Sequence, residues 1–538
     1  MKGCDQGVRA VVLRIGIDVG GTHTDAVILD EKNILIGAVK TVTTPDVTSG
    51  ILEALTKVIE VTGVDPAEIR AAMFGTTHCT NAIVERRELT KTALIRVGRP
   101  GAEAIEPLVE WPGELRRAIG DIKHLVHGGH EYTGEEIVPL DESEIRSVAR
   151  ELRDENVEAV AVCSIFSPIN SEHEERVSSI IKEEMGPDTP VTLSHEIGSI
   201  GLLERENSAV LNAAVIKVAG RAIEAFERSM VDAGVEDAAL YLSQNDGTLM
   251  SADYARKYPI FTVASGPSNS IRGAAFLTGL NDGIVVDIGG TTTLVGVLEK
   301  GFPRESAIAV EIGNVRTNFR MPDLIAAGCG GGTIVKSSEG VVEIGPQSVG
   351  YDLINRGIAW GGDTLTTTDI ALAAGYARIE DPRCDSSRLK GLEEFFVSQA
   401  IGKIIEKVEE SIDKIKTSPN PMPVVLVGGG GLLIPPKYYG ELKGASKVTR
   451  PSNYQFANAI GAAIAQVSGQ IDSVYSLEAT SRDDVIQSAR ESAINRAIDA
   501  GADPGTVQVV EIDEIALPYL PGNAVRIRVK AAGNLILD

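Results

Sequence analysis

The octapeptide DVGGTHTD at residues 18–25 has a near copy, DIGGTTTL, at residues 287–294. Each copy follows a short apolar run (residues 15–17 and 284–286) and leads into a second one (residues 26–29 and 294–298). Short apolar runs on both sides of a Gly-Gly turn are typical of two strands joined by a tight connection. The sequence therefore predicts two similar strand–turn–strand units in different parts of the chain.

These turns have the chemistry of an anion site. A Gly-Gly-Thr turn that is followed by a strand, not by a helix, offers backbone N–H groups and threonine hydroxyls to a phosphate. Asp18 and Asp287 precede the two turns at strand ends, where a carboxylate can hold a hydrated Mg²⁺. The sequence contains no G-x-x-x-x-G-K-[ST] motif, which excludes a P-loop. We expect the two turns to grip one triphosphate from opposite sides.

Length and pattern indicate a multidomain α/β protein. A chain of 538 residues predicts two to four domains, and 43% hydrophobic with 4% aromatic residues predicts cores of Ala, Val, Ile and Leu. Strand and helix patterns alternate along the first part of the chain. We predict an N-terminal domain over 12–195, a second domain over 196–470 and a small C-terminal α+β appendage over 471–538.

Charge and cysteine content restrict the partners and the compartment. The net charge of −24 argues against nucleic acid and anionic membranes, although backbone N–H groups can still bind phosphate. Five scattered cysteines without a C-x-x-C motif indicate a reducing cytosol, with no disulfide framework, structural zinc or cysteine-ligated cluster. No apolar run reaches the ~18 residues of a membrane span. These observations predict a soluble, cytoplasmic protein.

The motifs and their order resemble a known superfamily. DVGGTHTD, DIGGTTT and VLVGGGG (residues 425–431) are similar to the two phosphate motifs and the adenosine motif of the actin-like ATPases and sugar kinases. More specifically, the chain resembles a compact form of the hydantoinase A/oxoprolinase family. The supporting segments cover most of residues 12–470: FGTTHCTNAIVER (74–86), LSHEIGSIGLLERENSAVLNA (193–213), SGPSNSIRGA (265–274), GCGGGTIV (328–335) and GPQSVGYD (345–352).

The resemblance implies a fold and an activity. The fold is α/β, with duplicated actin-like (ribonuclease H-like) ATPase domains around a nucleotide cleft. The activity is ATP-dependent opening of a cyclic amide, a hydantoin or a 5-oxoproline-like ring, in which phosphorylation of the ring carbonyl oxygen prepares it for attack by water. A small-molecule kinase and a nucleotide-dependent actin-like assembly protein are the alternatives.

The resemblance also implies site residues, with ATP and Mg²⁺ as cofactors. Asp18, Asp287 and Asp25 are the catalytic candidates, and the first two are also the metal ligands. The expected nucleotide contacts are Gly20, Gly21, Thr22, Thr24, Gly289, Gly290, Thr291, Thr292, Gly330, Gly331, Gly428, Gly429 and Gly430, the last three beside the adenosine.

Two observations predict that the chain is incomplete as an enzyme. The second phosphate motif of the family typically ends in aspartate, whereas this chain has Leu294, which either impairs catalysis or packs passively in a strand. The sequence shows no H-E-x-x-H, no G-x-S-x-G and no carboxylate–histidine pair whose spacing suggests a base. We therefore expect a hydantoinase B-like subunit to supply the hydrolytic half, and homo-oligomers are also possible.

Three further features have alternative interpretations. Cys329, among glycines, is either a nucleophile or passive, and passive is the expectation. His124, His127 and His130 form either a metal site or a solvated loop, and the Gly-Gly break favours the loop. The charged run Glu204, Arg205, Glu206 and Asn207 is either a solvated helix start or part of a domain interface or substrate site.

Overall fold

The computed structural model describes residues 12–536 except 44–46, 307–309, 339–340, 479, 519 and 521–522, so that Cys4 lies outside the described residues. The chain begins with a strand meander that carries the first Gly-Gly turn. Its elements are β1 (Leu13–Val19), β2 (His23–Leu29), β3 (Leu35–Val42), α1 (Val47–Thr62), β4 (Ile69–Thr76) and α2 (His78–Glu85). β1 pairs antiparallel with β2 and parallel with β4, and it is buried on both faces, as its nearly continuous apolar sequence requires.

A separate parallel sheet follows, with strand order β6-β5-β7-β8. Its elements are β5 (Thr92–Arg99), α3 (Gly113–Ile119), β6 (Ile122–His127), α4 (Glu142–Asp154), β7 (Ala159–Ser164), α5 (Glu172–Met185) and β8 (Val191–Leu193). Then α6 (Ser194–Ile197) and α7 (Leu202–Asp232) lead back to the first sheet. We call residues 92–193 the inserted sheet.

The chain then returns to the first sheet and crosses to the second one. The elements are β9 (Ala239–Ser243), β10 (Leu249–Ser251), α8 (Ala252–Lys257), α9 (Ser265–Thr278), β11 (Gly283–Ile288), β12 (Thr293–Glu299) and β13 (Phe302–Pro303). β9 pairs parallel with β4. β11 and β12 form the antiparallel hairpin that carries the second Gly-Gly turn.

The second sheet repeats the arrangement of the first. The remaining elements of this part are β14 (Val310–Ile312), β15 (Val315–Thr317), β16 (Leu324–Ala327), β17 (Thr333–Ser338), β18 (Val341–Ser348), α10 (Leu353–Arg356), α11 (Thr367–Ala373), α12 (Glu394–Ile415), β19 (Met422–Val427) and β20 (Ala445–Thr449). β11 pairs antiparallel with β12 and parallel with β19, just as β1 pairs with β2 and β4. The duplication in the sequence is therefore a duplication of the fold.

The C-terminal part of the chain completes the first sheet. Its elements are α13 (Ala457–Ala463), β21 (Val467–Tyr475), α14 (Arg482–Asp499), β22 (Gln508–Ala516) and β23 (Val525–Gly533). The nine strands have the order β22-β23-β21-β10-β9-β4-β1-β2-β3. The segment has the predicted α+β content, but it extends this sheet instead of standing apart as an appendage. The boundary predicted after 470 falls inside β21, and the one after 195 falls inside α6.

Helices α9 and α13 pack against each other beside both sheets. A Cβ on Gly273 would lie 1.9 Å from the Ala457 carbonyl oxygen, and a Cβ on Gly461 would lie 1.8 Å from the Asn269 carbonyl oxygen. Only glycine permits this approach. The close packing places the start of α13 next to the end of β1. Within the described ranges, no helix is long and apolar enough to cross a bilayer.

Candidate active site

The two Gly-Gly-Thr turns have the same backbone hydrogen bond. The Gly20 N–H donates to the His23 carbonyl oxygen (3.0 Å), and the Gly289 N–H donates to the Thr292 carbonyl oxygen (2.9 Å). None of the glycines at 20, 21, 289 and 290 has a positive φ. Their role is therefore to keep side chains out of the turn and not to permit a left-handed backbone.

The carbonyl groups of the first turn are held by Thr43. Its hydroxyl donates to the Gly20 carbonyl oxygen (2.7 Å), and its N–H donates to the Thr22 carbonyl oxygen (3.1 Å). Among the residues that the structure describes, no acceptor contacts the N–H of Gly21. The first turn thus has an available donor for an anion.

A glycine loop supports the second turn in a similar way. The N–H groups of Gly331 and Gly332 donate to the carbonyl oxygens of Gly289 (2.9 Å) and Gly290 (2.6 Å). A Cβ on Gly330 would lie 2.7 Å from the Gly289 carbonyl oxygen, so the loop needs glycine there. Gly330 and Gly331 therefore support the second Gly-Gly turn and do not line the cleft.

Both turns line one cleft of about 380 Å³. A Cβ on Gly290 would lie 2.9 Å from Thr22 Cγ2, so the two turns come into contact at its edge. Most of the predicted site residues lie along this cleft: Asp18, Gly20, Gly21, Thr22, Asp25, Asp287, Gly289, Gly290, Thr291, Thr292, Gly428 and Gly429. Thr24, Gly330, Gly331 and Gly430 do not line it. Thr24 is buried in β2 with its hydroxyl 3.3 Å from Thr43 Oγ1.

Three carboxylates converge in the cleft, each less than a tenth exposed: Asp18 (8%), Asp25 (7%) and Asp287 (9%). Asp18 and Asp25 lie directly opposite each other on β1 and β2. Lys40 Nζ donates to both Asp25 oxygens (2.5 and 2.7 Å), and Asn458 Nδ2 donates to Asp18 Oδ2 (3.2 Å). Three carboxylates and one ammonium give the cleft an excess of negative charge.

Burial changes the ionisation of these groups. Burial, reinforced by the neighbouring Asp25 carboxylate, raises the pKa of Asp18 to about 7. Burial also raises the pKa of Asp25 and of Asp287. Burial and the Lys40 ammonium lower the pKa of His23 to about 4. A divalent cation bound between the carboxylates would relieve this repulsion, so the donor set fits the hard, oxygen-preferring Mg²⁺.

The second turn lacks the second carboxylate. Leu294 lies opposite Asp287 on β12, which is the position that Asp25 occupies opposite Asp18. Leu294 is half-buried in the strand and also lines the cleft. The two halves of the site are therefore unequal, and the Asp25–Lys40 pair belongs to the first half alone.

The glycine run at 428–431 packs closely against Asp287 and the neighbouring Ile288. Gly428 has a φ of +79°, and a Cβ there would lie 2.1 Å from Asp287 Oδ1. Gly430 and Gly431 are buried, with Cβ positions 2.5 Å from Ile288 Cγ2 and 3.1 Å from the Tyr454 ring. Within this run, Gly428 and Gly429 line the cleft.

Residues that the sequence interpretation missed also line the cleft: Lys40, Thr77, Gly266, Pro267, Gln455 and Asn458. The sequence could have predicted that Lys40 contacts Asp25, because β2 and β3 follow each other in the chain and pair so that Lys40 lies directly opposite Asp25. No local sequence pattern marks Asn458 as a site residue. It reaches Asp18 only because α13 packs beside β1.

Comparison with known proteins agrees with this geometry. Residues 14–185 match the hydantoinase/oxoprolinase N-terminal region, and residues 205–388 match the hydantoinase/oxoprolinase domain. The chain belongs to the hydantoinase/oxoprolinase family. The resemblance inferred from the motifs is thereby confirmed.

Named relatives of this hydantoinase/oxoprolinase chain include subunits of larger enzymes. It is 28% identical over 425 residues to the caprolactamase subunit alpha of Pseudomonas jessenii, with 74% of this chain and 59% of that protein covered. It is 30% identical over 401 residues to the acetophenone carboxylase gamma subunit of Aromatoleum aromaticum, with coverage of 67% and 53%. The chain thus spans between half and three fifths of the length of these relatives.

A solved structure shows the same fold. The ATP-dependent caprolactamase from Pseudomonas jessenii superposes with a TM-score of 0.74 at 21% identity, covering 96% of this chain and 87% of that one. Together with the duplicated hairpin sheets, this confirms the predicted α/β fold with two similar halves.

The charged run in this family member is part of an interface. Arg205 and Glu206 are fully buried at the start of α7, so the interpretation as a solvated helix start is wrong. Glu206 accepts from Arg96 Nε (2.5 Å) and Nη2 (2.8 Å) on β5, and Arg205 donates to the Ser164 carbonyl oxygen (2.5 Å) on β7. These contacts fasten the inserted sheet to α7.

The remaining candidates lie outside the cleft. Cys329 is 1% exposed, and burial raises the pKa of its thiol to about 11, which agrees with the passive interpretation. His124 and His127 lie in strand β6 and His130 is buried, so the prediction of a solvated loop is wrong.

Proposed function

We propose that this chain is the ATP-binding subunit of an enzyme that opens a cyclic amide by phosphorylating its carbonyl oxygen. The observation that carries the proposal is the single cleft lined by two phosphate-type turns and three buried carboxylates. The relative and the solved structure that are named caprolactamase support a ring amide as the substrate class.

The chemistry suits such a site. An amide carbonyl is a weak electrophile, and transfer of the γ-phosphoryl group to its oxygen forms one P–O bond while the P–O bond to ADP breaks. Water can then add to the carbon of the O-phosphorylated imidate, and the C–N bond of the resulting tetrahedral adduct breaks as the protonated ring nitrogen leaves as an amine. A second water hydrolyses the acyl phosphate that remains, which releases phosphate and the linear acid. The protein has to position the two reactants and stabilise charge, and the N–H groups of the turns contribute to both.

Specific roles follow for the cleft residues. Asp18 and Asp287 would hold Mg²⁺, which neutralises phosphate charge when it is bound. Asn458 orients Asp18, because its amide donates to Oδ2. Lys40 opposes the effect of burial on the pKa of Asp25 through two hydrogen bonds, and it can also face a phosphate because its side chain is 30% exposed.

We also propose that a second, hydantoinase B-like subunit supplies the hydrolytic step. His23 is the histidine among the residues lining the cleft, and its lowered pKa makes it a weak base. Its Nδ1 lies 3.2 Å from the Thr22 hydroxyl, with no carboxylate recorded beside it in the described part of the chain. The relatives named as subunits support an assembly of more than one kind of chain.

The deciding experiment measures phosphate release and ring opening separately. The purified chain, alone and together with a hydantoinase B-like chain from the same source, is incubated with Mg-ATP and a panel of caprolactam, hydantoin and 5-oxoproline. We expect ring opening, followed by chromatography of the linear acid, only with both chains, and its loss in Asp287→Asn. Full-rate ring opening by the chain alone contradicts the two-subunit proposal.

The same assay separates the alternatives. Because one relative is named a carboxylase, the panel also includes a ketone with bicarbonate. Turnover of that pair and of no cyclic amide would identify a ketone, and not a lactam, as the substrate. A stable phosphorylated product without ring opening indicates a small-molecule kinase. ATP-dependent sedimentation without any turnover indicates an assembly protein.

A further inference from the structure

The inserted sheet contains a cluster of two histidines and a glutamate that is separate from the cleft. His130, Glu136 and His173 each offer a ligand atom, and these atoms lie within 4.8 Å of one another. His130 is 0% exposed and His173 is 3% exposed, whereas Glu136 faces solvent. We propose that this cluster binds one Zn²⁺ ion, with an exposed coordination position left for water.

The backbone holds the ligands in place before any metal binds. His130 and Glu136 lie opposite each other in an antiparallel bridge, and the Ile137 N–H donates to the Gly129 carbonyl oxygen (3.0 Å). His173 lies in the first turn of α5. A hairpin and a helix therefore present two imidazoles and one carboxylate towards one point, and metal binding would fasten them together.

The state of His130 points to a missing partner. Both of its ring nitrogens are buried, and neither has a hydrogen-bond partner among the described residues. A buried, unpaired imidazole nitrogen loses its hydration without compensation, which carries a free-energy penalty. A bond from one nitrogen to a metal would remove that penalty. The donor set of two nitrogens and one carboxylate oxygen suits Zn²⁺, with three protein ligands and a water.

Binding changes the protonation of His173. The Gly129 N–H donates to its Nδ1 (2.9 Å), so Nε2 carries the proton and donates to Glu136 Oε1 (2.8 Å). Zn²⁺ at Nε2 replaces that proton, and the neutral ring then carries its proton on Nδ1, which requires the Gly129 N–H to turn away. Gly128 and Gly129, with φ of +131° and +104°, lack the side chains that would hinder this rotation.

The test uses the untagged full-length chain, stripped with a chelator and titrated with Zn²⁺ in millimolar Mg²⁺, which occupies the oxygen-donor site of the cleft. We expect one Zn²⁺ per chain, at least about tenfold weaker binding in Glu136→Gln and His173→Gln, and faster hydrogen exchange of the Gly129 peptide on binding. Glu136→Gln is the main variant, because Glu136 is exposed and its replacement leaves the packing intact.

Two control variants make the result specific. Glu135→Gln changes an exposed neighbour on the same turn, and His127→Gln removes a histidine of the sequence cluster that contacts Glu144 instead. Both should bind Zn²⁺ like the wild type. Absence of stoichiometric Zn²⁺, an unchanged affinity in Glu136→Gln, or an equal loss in His127→Gln overturns the assignment.

Discussion

Gly290 of the second phosphate turn lies directly against Thr22 of the first. A Cβ on Gly290 would be 2.9 Å from Thr22 Cγ2 and 3.0 Å from Thr22 Oγ1. Residues far apart in the sequence therefore meet at the point where the two sheets approach each other. The width of the cleft depends on the absence of a side chain at 290.

Gly290→Ala should weaken binding of a non-hydrolysable ATP analogue by at least about tenfold, which corresponds to a loss of about 1.4 kcal/mol of binding free energy. The added methyl group has to push the turns apart. Isothermal titration measures the dissociation constant. Gly21→Ala is the matched variant, because no atom lies within 4 Å of its Cβ position, and it should lose less affinity. An equal loss in both variants would contradict the contact between the turns.

Gly428→Ala should abolish ATP turnover and lower the melting temperature. Its Cβ would lie 2.1 Å from Asp287 Oδ1, and the φ of +79° disfavours any side chain. Both effects displace the carboxylate. Gly429→Ala, where nothing lies within 4 Å, should fold with wild-type stability. Phosphate release and thermal unfolding would be measured for both, and wild-type turnover in Gly428→Ala would refute this role.

Stability without nucleotide should depend on pH through Asp18. Its pKa is about 7 in the folded protein against 3.8 for an ordinary aspartate, so the folded state binds the proton more tightly. The resulting stabilisation is fully present below pH 3.8 and is lost as the pH rises to about 7. The melting temperature of the wild type relative to Asp18→Asn should therefore fall between pH 5 and pH 8.

Asp253→Asn provides the control for the pH series, because the Asp253 side chain is 97% exposed. The difference in melting temperature between Asp253→Asn and the wild type should stay constant across the same pH range. A constant difference for Asp18→Asn as well would show that the carboxyl is not perturbed by burial.

Glu206→Gln should destabilise the protein by about 3–5 kcal/mol, because it leaves the fully buried Arg96 guanidinium without its counter-charge. Urea unfolding measures the change. Glu114→Gln, which breaks the exposed pair with Arg86, should change the free energy of unfolding by no more than about 1 kcal/mol. Similar values for the two variants would show that the Arg96 pair does not hold the inserted sheet.

Local sequence pattern predicted most of the elements. The pattern of residues 47–61 and of residues 483–500 predicts a helix in each segment, and the structure has helices at Val47–Thr62 and Arg482–Asp499. Both Gly-Gly turns are followed by strands, as expected. Apolar periodicity and turn residues are local properties, so they are visible without knowledge of the fold.

Local patterns in the sequence were sufficient to predict the duplicated hairpins, the convergence of Asp18 and Asp287 on one site, and the family. The tertiary structure decided which polar groups complete that site. Asn458 contacts Asp18 although 440 positions separate the two residues. Gly330 was expected to contact the nucleotide, and in the structure it packs against the turn at Gly289. It also showed that residues after 470 extend the first sheet. Pairing of distant strands and packing of helices create these contacts, and no local pattern in the chain encodes them.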